Sequence, residues 1–313
     1  MKKTSEQDMT GLDVNFFRKN GWTSHTSASI LQDCGVLLAD LYHVAQTTGL
    51  LDVCVGDKAN ISELYSKAKA RCLTPAELHS LSEVVSSAFF ARSKTNREKV
   101  SAIYDLAKHL QAFHALLDNP DIQSSVRKLL GTETVFVHKD SVGIRIDIPR
   151  EETQLTELHQ EFHSYPFGTN GLVIWLPLTR IDLEHGTIGF FERPHDSAPF
   201  PFIGDQNEQA RLTALGRFQE AQKIGQLQLN RKTLGERRLI EAEPGHCYFF
   251  SAVLPHESVP ATPECERVRI TCQARLFDPH DPFFIWKMQQ QKFWQGLKNP
   301  IVGWALWEEF HGR

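Results

Sequence analysis

The sequence has little of what marks exported, membrane-spanning or disulfide-rich proteins. Its six cysteines, among 313 residues, form no CxxC pair, which argues against a zinc ribbon and a disulfide framework. No run approaches the ~18 apolar residues that a transmembrane helix needs. The polar stretch that follows the first three residues lacks the apolar core of a signal peptide. We therefore expect a cytoplasmic protein with no membrane partner.

An excess of charge of one sign is also missing. The chain has 34 Lys and Arg against 38 Asp and Glu, a net charge of −4, so there is no basic footprint for nucleic acid. We find neither an internal repeat nor a low-complexity linker. A chain of this length can bury a substantial core, and we expect its partner to be a small molecule. The sequence leaves the oligomeric state open.

The period of the apolar residues divides the chain into three parts. Residues 1–131 show helical spacing, with Thr74-Pro75 as an N-cap followed by proline and with a helix that ends at Gly131. Residues 132–278 contain short β-branched or aromatic runs, typical of an antiparallel sandwich, jelly roll or barrel. Residues 279–313 return to an amphipathic helical pattern. Within the middle part, residues 193–235 are predicted to be an insertion or lid, in which 207–222 form a helix or a long insertion.

The stretch LHQEFHSYPF, residues 158–167, holds two histidines and a carboxylate. All three can be ordinary polar residues, and His159 with His163 is a possible pair of zinc ligands on a helix, as in a zinc hydrolase. That motif requires glutamate directly after the first histidine, where this chain has Gln160. A third interpretation places His159 and Glu161 on one face of an extended segment.

That third interpretation needs one more histidine from a distant strand. Two histidines and one carboxylate would make an Fe(II) site with open coordination positions. His256 is the better candidate, because it follows a Pro-Gly turn and an aromatic strand. His246 is the rival, at the opposite end of that strand.

A strand with alternating polarity follows His256. In RVRITCQAR, residues 267–275, Val268, Ile270, Cys272 and Ala274 share one face, while Arg267, Arg269, Thr271, Gln273 and Arg275 share the other. If the polar face points into a barrel, a dicarboxylate cosubstrate is the content that would satisfy it, because guanidinium pairs carboxylate bidentately. Alternatively, this face is exposed to solvent.

At this point the sequence resembles the phytanoyl-CoA dioxygenase family of Fe(II)/2-oxoglutarate oxygenases. The resemblance joins LHQEFHSYPFGTNGLVIWLPLTRIDLEHGTIGFF, residues 158–191, to EPGHCYFFSAVLPHESVPATPECERVR, residues 243–269. It includes the His-x-Asp/Glu pair, a strand with Trp175, the turn with Gly186, the distal histidine and an arginine eleven residues later. The resemblance extends over roughly residues 130–278.

The resemblance implies an α+β protein with a double-stranded β-helix core, of the jelly-roll or cupin-like kind. It implies Fe(II) held by His159, Glu161 and His256, and 2-oxoglutarate whose distal carboxylate is bound by Arg267, with Arg269 as the alternative. These assignments make the core residues 132–278, between the helical region 1–131 and the tail 279–313.

The resemblance also implies lesser roles and a reaction. Trp175 would pack against the cosubstrate, and Arg145 would contact 2-oxoglutarate or the substrate. No catalytic side chain is needed beyond the metal ligands, and the reaction would hydroxylate a small metabolite with O2, releasing succinate and CO2.

One departure concerns the carboxylate ligand. Most members have aspartate where this chain has Glu161, whose extra methylene moves the carboxylate outward by ~1.5 Å. A non-catalytic binding or regulatory protein with the same barrel is therefore the alternative to the enzyme. The substrate is not identified by any motif.

Overall fold

The structure is a computed structural model that describes residues 11–51, 58–151, 155–201, 208, 211–212, 214–215 and 234–312. The predicted lid at 193–235 and its 207–222 segment lie largely outside these residues. In the described part of the chain, every helix is too short or too polar to cross a bilayer.

In the described residues, seven helices precede the main strands. They are α1 (Val14–Asn20), α2 (Ala28–Thr47), α3 (Lys58–Lys69), α4 (Pro75–Thr95), α5 (Arg97–Ala107), α6 (Gln111–Leu117) and α7 (Pro120–Leu130). The predicted cap of α4 is confirmed: Thr74 and Glu77 form a reciprocal capping box. The predicted end of α7 is also confirmed, because Gly131 closes it with a left-handed φ of 69°.

Nine strands form two antiparallel sheets in the described residues. They are β1 (Trp22–His25), β2 (Phe136–Val137), β3 (Gly143–Asp147), β4 (Gly171–Pro177), β5 (Thr187–Phe191), β6 (Arg237–Leu239), β7 (Cys247–Ser251), β8 (His256–Val259) and β9 (Arg269–Phe277). The larger sheet has the order β1-β7-β4-β9-β2, with β3 also paired to β9, and the smaller has the order β6-β5-β8. The observed fold therefore combines helices with antiparallel sheets.

The two faces of the larger sheet have different neighbours. Ile174 and Leu176 of β4 belong to the large core that the N-terminal helices cover. Val173 and Trp175 alternate with them and pack with Ile188 and other residues of the smaller sheet. Strand alternation thus separates a helix-facing core from the space between the sheets, where the candidate site lies.

Two short strands were not expected from the sequence. Strand β1 lies in the region predicted to be entirely helical, and it pairs with β7 at the sheet edge. Strand β8 begins at His256 and pairs with β5, with Phe190 opposite His256. Both strands have only four residues, too few to show a period.

A short helix, α8 (Glu161–Ser164), lies in the middle part of the chain. The described residues of the C-terminal tail contain two helices, α9 (Pro282–Gln289) and α10 (Pro300–His311). Asp281 caps α9 by accepting hydrogen bonds from the backbone N–H groups of Phe283 and Phe284. Phe283 and Leu306 pack on Phe162, next to the LHQEFH motif. The tail therefore contacts the segment that carries two candidate metal ligands.

Candidate metal centre

A backbone bridge brings the two halves of the site together. His159 and His256 form an antiparallel bridge in which each backbone N–H donates to the other's carbonyl at 3.0 Å. Their ring centroids lie 4.1 Å apart. Gln160 is still extended, with φ −121° and ψ 142°, and Glu161 is the first residue of a short helix, α8 (Glu161–Ser164). The extended His159–Glu161 segment that the sequence predicted thus ends at Glu161 itself.

Among the described residues, only one group of three or more His, Cys, Asp or Glu side chains could hold a metal ion. This group consists of His159, Glu161 and His256. Glu161 Oε1 lies 3.8 Å from His159 Nε2 and 3.7 Å from His256 Nε2. One ion at ordinary metal–ligand distances of about 2.0–2.2 Å can bridge such separations. The structure therefore brings together all three predicted metal ligands, while His246 is not in the group.

The hydrogen bonds of the two imidazoles leave their Nε2 atoms facing Glu161. His159 Nδ1 contacts the carbonyl of Glu157 at 2.7 Å, and His256 Nδ1 contacts that of Leu254 at 2.9 Å. A carbonyl accepts, so each Nδ1 carries the proton and each Nε2 presents a lone pair. This outer hydrogen bond is the usual means of fixing the tautomer of a metal-binding histidine.

The charge states also suit a metal. Burial, together with the neighbouring His159, lowers the pKa of His256 to about 4. Burial alone would raise the pKa of Glu161, but the charge of the neighbouring Arg275 guanidinium holds that pKa well below its usual range. A neutral imidazole and an ionised carboxylate are the forms that bind metal.

Arg275 on β9 holds the carboxylate of Glu161. Its Nη2 donates to Glu161 Oε1 at 2.6 Å and to Gln273 Oε1 at 3.1 Å, and its Nη1 donates to the carbonyl of Ser141 at 3.0 Å. A carboxylate has about four lone-pair sites, so it can accept from an arginine and still bind a metal.

His163 is not part of the metal group. It is 2% exposed, its Nε2 lies 2.9 Å from the carbonyl of Phe200, and burial lowers its pKa to about 4. Gln160 accepts from the backbone N–H of Phe200 at 2.9 Å and donates to the carbonyl of Val253. His163 and Gln160 thus anchor the Phe200 peptide beside the metal motif.

The side chains of His159, Glu161 and His256 line a cavity of about 80 Å³ between the sheets, here called the inner cavity. Its walls also carry charged, hydroxyl, amide and aromatic groups: Arg145, Asp147, Thr156, Trp175, Thr187, Phe250, Ser258, Arg269, Thr271, Gln273 and Arg275. The structure therefore brings the predicted residues Trp175 and Arg145 to the same cavity as the metal group. The polar face predicted for β9 points into this cavity from Arg269 to Arg275.

Arg267 is not brought to the cavity. It lies before β9, which begins at Arg269, so strand alternation does not govern its direction. Its guanidinium instead forms a salt bridge with Glu83 on α4 and contacts His185 Nε2 at 3.4 Å. Val268 is held to the same helix, because its carbonyl accepts from Ser86 Oγ at 2.6 Å.

Arg269 is the arginine that reaches the cavity, and it forms a buried ion pair there. Its Nε and Nη2 donate to Asp147 Oδ2 at 3.0 and 2.9 Å, and its Nη1 donates to the carbonyl of Thr187 at 2.7 Å. Burial alone would raise the pKa of Asp147, but the charges of Arg269 and Arg145 lower it.

Two neighbours of the metal group, Asp147 and Gln160, were given no role in the site on the basis of the sequence. Asp147 lies on β3 directly opposite Arg269, and the alternation of VGIRIDI put it on the same face as Arg145, which was the available signal. Gln160 lies between the two ligands and is fully buried. No sequence signal distinguishes such a buried glutamine from an exposed one.

Comparison with known proteins gives structural similarities alone. No family model matches the sequence, and no curated protein matches it. Among solved structures, the epimerase SnoN in complex with Fe3+, alpha-ketoglutarate and nogalamycin RO is 14% identical, with 85% of this chain and 82% of that chain covered and a TM-score of 0.47. A second SnoN structure aligns over only 54% of this chain and 57% of that chain, at 16% identity and a TM-score of 0.38.

Two further similar structures are also non-haem or 2-oxoglutarate-bound proteins. The alpha-ketoglutarate-dependent carbocyclase SnoK from nogalamycin biosynthesis is 14% identical, over 89% of this chain and 88% of that one, with a TM-score of 0.42. EvdO2 from Micromonospora carbonacea var. aurantiaca, complexed with 2-oxoglutarate, is 14% identical over 88% of this chain and 93% of that one, with a TM-score of 0.42. At these levels of similarity, the activity of this chain has to be inferred from its own residues.

Proposed function

We propose that this protein is an Fe(II)- and 2-oxoglutarate-dependent oxygenase that acts on a small molecule, with hydroxylation as its reaction. The observation that carries the proposal is the group of His159, Glu161 and His256 at the wall of an arginine-lined cavity. Two histidines and one carboxylate with open coordination positions are the typical ligand set of non-haem Fe(II) oxygenases. The resemblance of residues 158–191 and 243–269 to phytanoyl-CoA dioxygenases supports the same assignment.

The charges and buried polar atoms of the inner cavity fit an anionic cosubstrate. Among its described lining residues, three arginines face only two carboxylates, so a divalent ion would leave the cavity strongly positive unless an anion came with it. Thr271 Oγ1 and Arg275 Nε are buried and have no hydrogen-bond partner among the described residues. A dicarboxylate supplies both negative charge and acceptor oxygens.

We assign the distal carboxylate of 2-oxoglutarate to Arg269, in place of the predicted Arg267. Arg269 is 5% exposed and lines the inner cavity, and Asp147 fixes the plane of its guanidinium. Thr271, two residues along the same face, offers its hydroxyl. Trp175 and Arg145 lie on the same walls, where they would pack against the cosubstrate and orient it.

The protein's own part in the reaction is to bind, orient and exclude water. When bound, Fe(II) and 2-oxoglutarate supply oxidising chemistry in which O2 is consumed, 2-oxoglutarate becomes succinate and CO2, and a substrate C–H bond is hydroxylated. His159 and His256 would remain neutral ligands, fixed by their Nδ1 hydrogen bonds. Arg275 would keep Glu161 ionised and in place.

The finer description of the fold belongs to the same proposal. We infer that strands β2 to β9 form a double-stranded β-helix spanning 132–278. The helical region 1–131, which adds β1 to the larger sheet, and the tail 279–313 pack on it. We also place the protein in the cytoplasm. The burial of the metal group between two antiparallel sheets supports the β-helix, because that fold holds such sites between its sheets.

The test is metal binding and 2-oxoglutarate turnover with matched variants. We expect the purified protein to bind Mn(II) or Fe(II) at one site per chain and to release succinate from 2-oxoglutarate in air. His256→Ala should lower metal affinity at least 100-fold, whereas His163→Gln should leave it unchanged, since glutamine keeps a donor for the Phe200 carbonyl.

Three other outcomes would contradict the proposal. Metal binding that persists in His256→Ala would show that His159, Glu161 and His256 are not the metal site. Equal damage from His163→Gln, with zinc bound preferentially, would favour the zinc hydrolase. Metal and 2-oxoglutarate binding without any succinate, for any substrate tried, would favour the non-catalytic binding protein.

A further inference from the structure

A second, larger cavity adjoins the inner one. This outer cavity has a volume of about 360 Å³, within the ~300–1,000 Å³ range of small-molecule sites. The inner cavity, at about 80 Å³, has room only for compact ligands. Five residues line both cavities: Arg145, Asp147, Thr156, Gln273 and Arg275. A molecule in the outer cavity would therefore lie next to the metal group, separated from it by these side chains.

The outer cavity is built from parts of the chain distant in sequence. Tyr104 comes from α5, Ser141 to Asp147 from the segment that includes β3, Tyr165 from the end of α8, and Lys298 from the loop before α10. The backbone N–H of Lys298 donates to the carbonyl of Ser164 at 2.7 Å. This bond fixes the Lys298 loop to the short helix that begins with the ligand Glu161.

Positive charge predominates in the outer cavity. Arg145, Arg275 and Lys298 line it, and Asp147 is their one carboxylate counterpart among the described lining residues. Asp147 is already engaged by Arg145 at 2.8 Å and by Arg269 at 2.9 Å, and Arg275 is engaged by Glu161. In the part of the chain that the structure describes, no carboxylate forms a salt bridge with Lys298.

The rest of the lining is rich in hydroxyl groups and reaches solvent. Tyr104 is 42% exposed and Lys298 is exposed, so both lie at the rim. Tyr165 is buried and packs against the guanidinium of Arg275, whose Cζ lies 5.3 Å from its ring centroid. Hydroxyl and ammonium donors at the rim favour a ligand with anionic oxygen atoms.

We propose that the outer cavity binds the substrate, and that this substrate is a small polar molecule whose carboxylate or phosphate group is held by Lys298. The anionic end would lie at the rim, and the opposite end would point past Arg275 toward the metal group. Naming this ligand a substrate rests on the proposed function; the anion site itself does not.

The test uses matched pairs of anionic and neutral probes, followed by ligand-observed NMR. Suitable pairs are glucose 6-phosphate with glucose, glycerol 3-phosphate with glycerol, and phenylacetate with phenylacetamide. Each pair is measured on the protein alone and on the protein with Mn(II) and 2-oxoglutarate without O2, so that the inner cavity is filled. The phosphate and carboxylate pairs show which anion the cavity prefers.

We expect the anionic member of at least one pair to bind at least tenfold more tightly than its neutral partner. Lys298→Gln should weaken that binding about tenfold, the effect of one lost charge-assisted hydrogen bond, and Lys298→Glu should abolish it. Lys108→Glu makes the same charge change at an exposed position directly after α5, outside the cavity, and should have no effect. Equal binding of neutral probes, no binding of any anion, or an unchanged affinity in Lys298→Glu would overturn the proposal.

A failure of the oxygenase assignment can be distinguished from a failure of the anion site. Mn(II) and 2-oxoglutarate binding, measured by calorimetry on the same proteins, should be unchanged in Lys298→Glu. If the unmodified protein binds neither, the oxygenase assignment fails, while the probe measurements on the protein alone still decide the anion site.

Discussion

Glu161 is a glutamate where the resemblance leads one to expect aspartate, and its surroundings show how the longer side chain is accommodated. The chain turns from extended to helical at this residue, and its Oε1 lies nearly equidistant from the two imidazole Nε2 atoms, at 3.8 and 3.7 Å. Arg275 removes the remaining freedom of the carboxylate. A methylene that would displace the ligand by ~1.5 Å on an extended strand is thus compatible with a compact metal group.

Single substitutions at Arg267 and Arg269 should differ in their effect on 2-oxoglutarate binding. We expect Arg269→Lys to weaken 2-oxoglutarate binding at least tenfold, because lysine keeps the charge but loses the planar fork that pairs with carboxylates. Arg267→Lys should leave that affinity unchanged, since Arg267 faces Glu83 outside the cavity. Calorimetric titration of 2-oxoglutarate into the Mn(II)-loaded proteins measures both. The reverse ranking would restore Arg267 as the cosubstrate ligand.

At the scale of elements, two helix caps that look alike in sequence differ in burial. Asn119 is 2% exposed; its Oδ1 accepts from the N–H groups of Asp121 and Ile122, and its Nδ2 donates to Asp33 on α2. Thr74, at the start of α4, is exposed and caps its helix by a local box with Glu77. Asn119 therefore joins α7 to α2, whereas Thr74 serves its own helix.

We expect Asn119→Ala to lower the free energy of unfolding by about 2–3 kcal/mol, from the lost cap and the buried partner left behind. Thr74→Ala should cost about 1 kcal/mol. Urea denaturation of both variants checks the difference. Equal losses would show that the buried contacts of Asn119 contribute nothing beyond capping.

The turn between α1 and β1 depends on glycine. Gly21 has a φ of 79°, and an added Cβ would lie 2.5 Å from the carbonyl oxygen of Arg193. Gly131 has a similar φ of 69°, but nothing lies within 4 Å of its Cβ position. Glycine at position 21 therefore allows the chain to turn into β1 while passing close to the Arg193 peptide.

Alanine at each glycine separates backbone strain from steric clash. Gly131→Ala should cost roughly 1–2 kcal/mol, the penalty of left-handed backbone for a residue with a Cβ. Gly21→Ala should cost at least about 1 kcal/mol more, because the Arg193 peptide has to move. Chemical denaturation of the two variants tests this; similar losses would mean that the α1–β1 turn adjusts freely.

The spacing of apolar residues and the capping residues made much of the order of helices and strands predictable. The pairing of strands distant in sequence was not predictable in this way. The strands β3, β4, β5, β7 and β9 were recognisable as short β-branched or aromatic runs between turn residues, and the cap residues Thr74 and Gly131 marked helix ends. Strand β1 was missed because four residues show no period. The face predicted for Arg267 differs from the observed one because the alternation was extended two residues upstream of Arg269, where β9 begins; there Arg267 forms a salt bridge with Glu83 of α4. Such tertiary contacts are not encoded in local periodicity.

For the whole molecule, a buried histidine joins helix α1 to the larger sheet. His195 is 9% exposed; its Nε2 lies 3.0 Å from Asn170 Oδ1 and its Nδ1 lies 2.9 Å from Ser251 Oγ. Its ring lies against Phe17 of α1, with centroids 4.5 Å apart. Because Asn170 precedes β4 and Ser251 ends β7, this side chain links α1 to the larger sheet.

Protonation of His195 should make the molecule less stable in acid. Burial lowers its pKa to about 4, with Asp196 opposing and Arg18 adding to the shift, whereas an unfolded histidine titrates near 6.5. Between these values the unfolded chain binds more protons than the folded chain, so stability falls as the pH falls from about 6.5 toward 4. The difference between the two pKa values corresponds to about 3 kcal/mol of the free energy of unfolding.

The measurement is the free energy of unfolding in urea at several pH values between 7.5 and 4.5, for the unmodified protein and for His195→Gln. Glutamine can still donate to Asn170 but does not titrate, so we expect a shallower loss of stability in the variant, by up to about 3 kcal/mol over this range. Other buried histidines, among them His163, titrate in both proteins and therefore cancel in the difference. Parallel pH profiles for the two proteins would show that His195 does not couple acidification to the contact between α1 and the sheet.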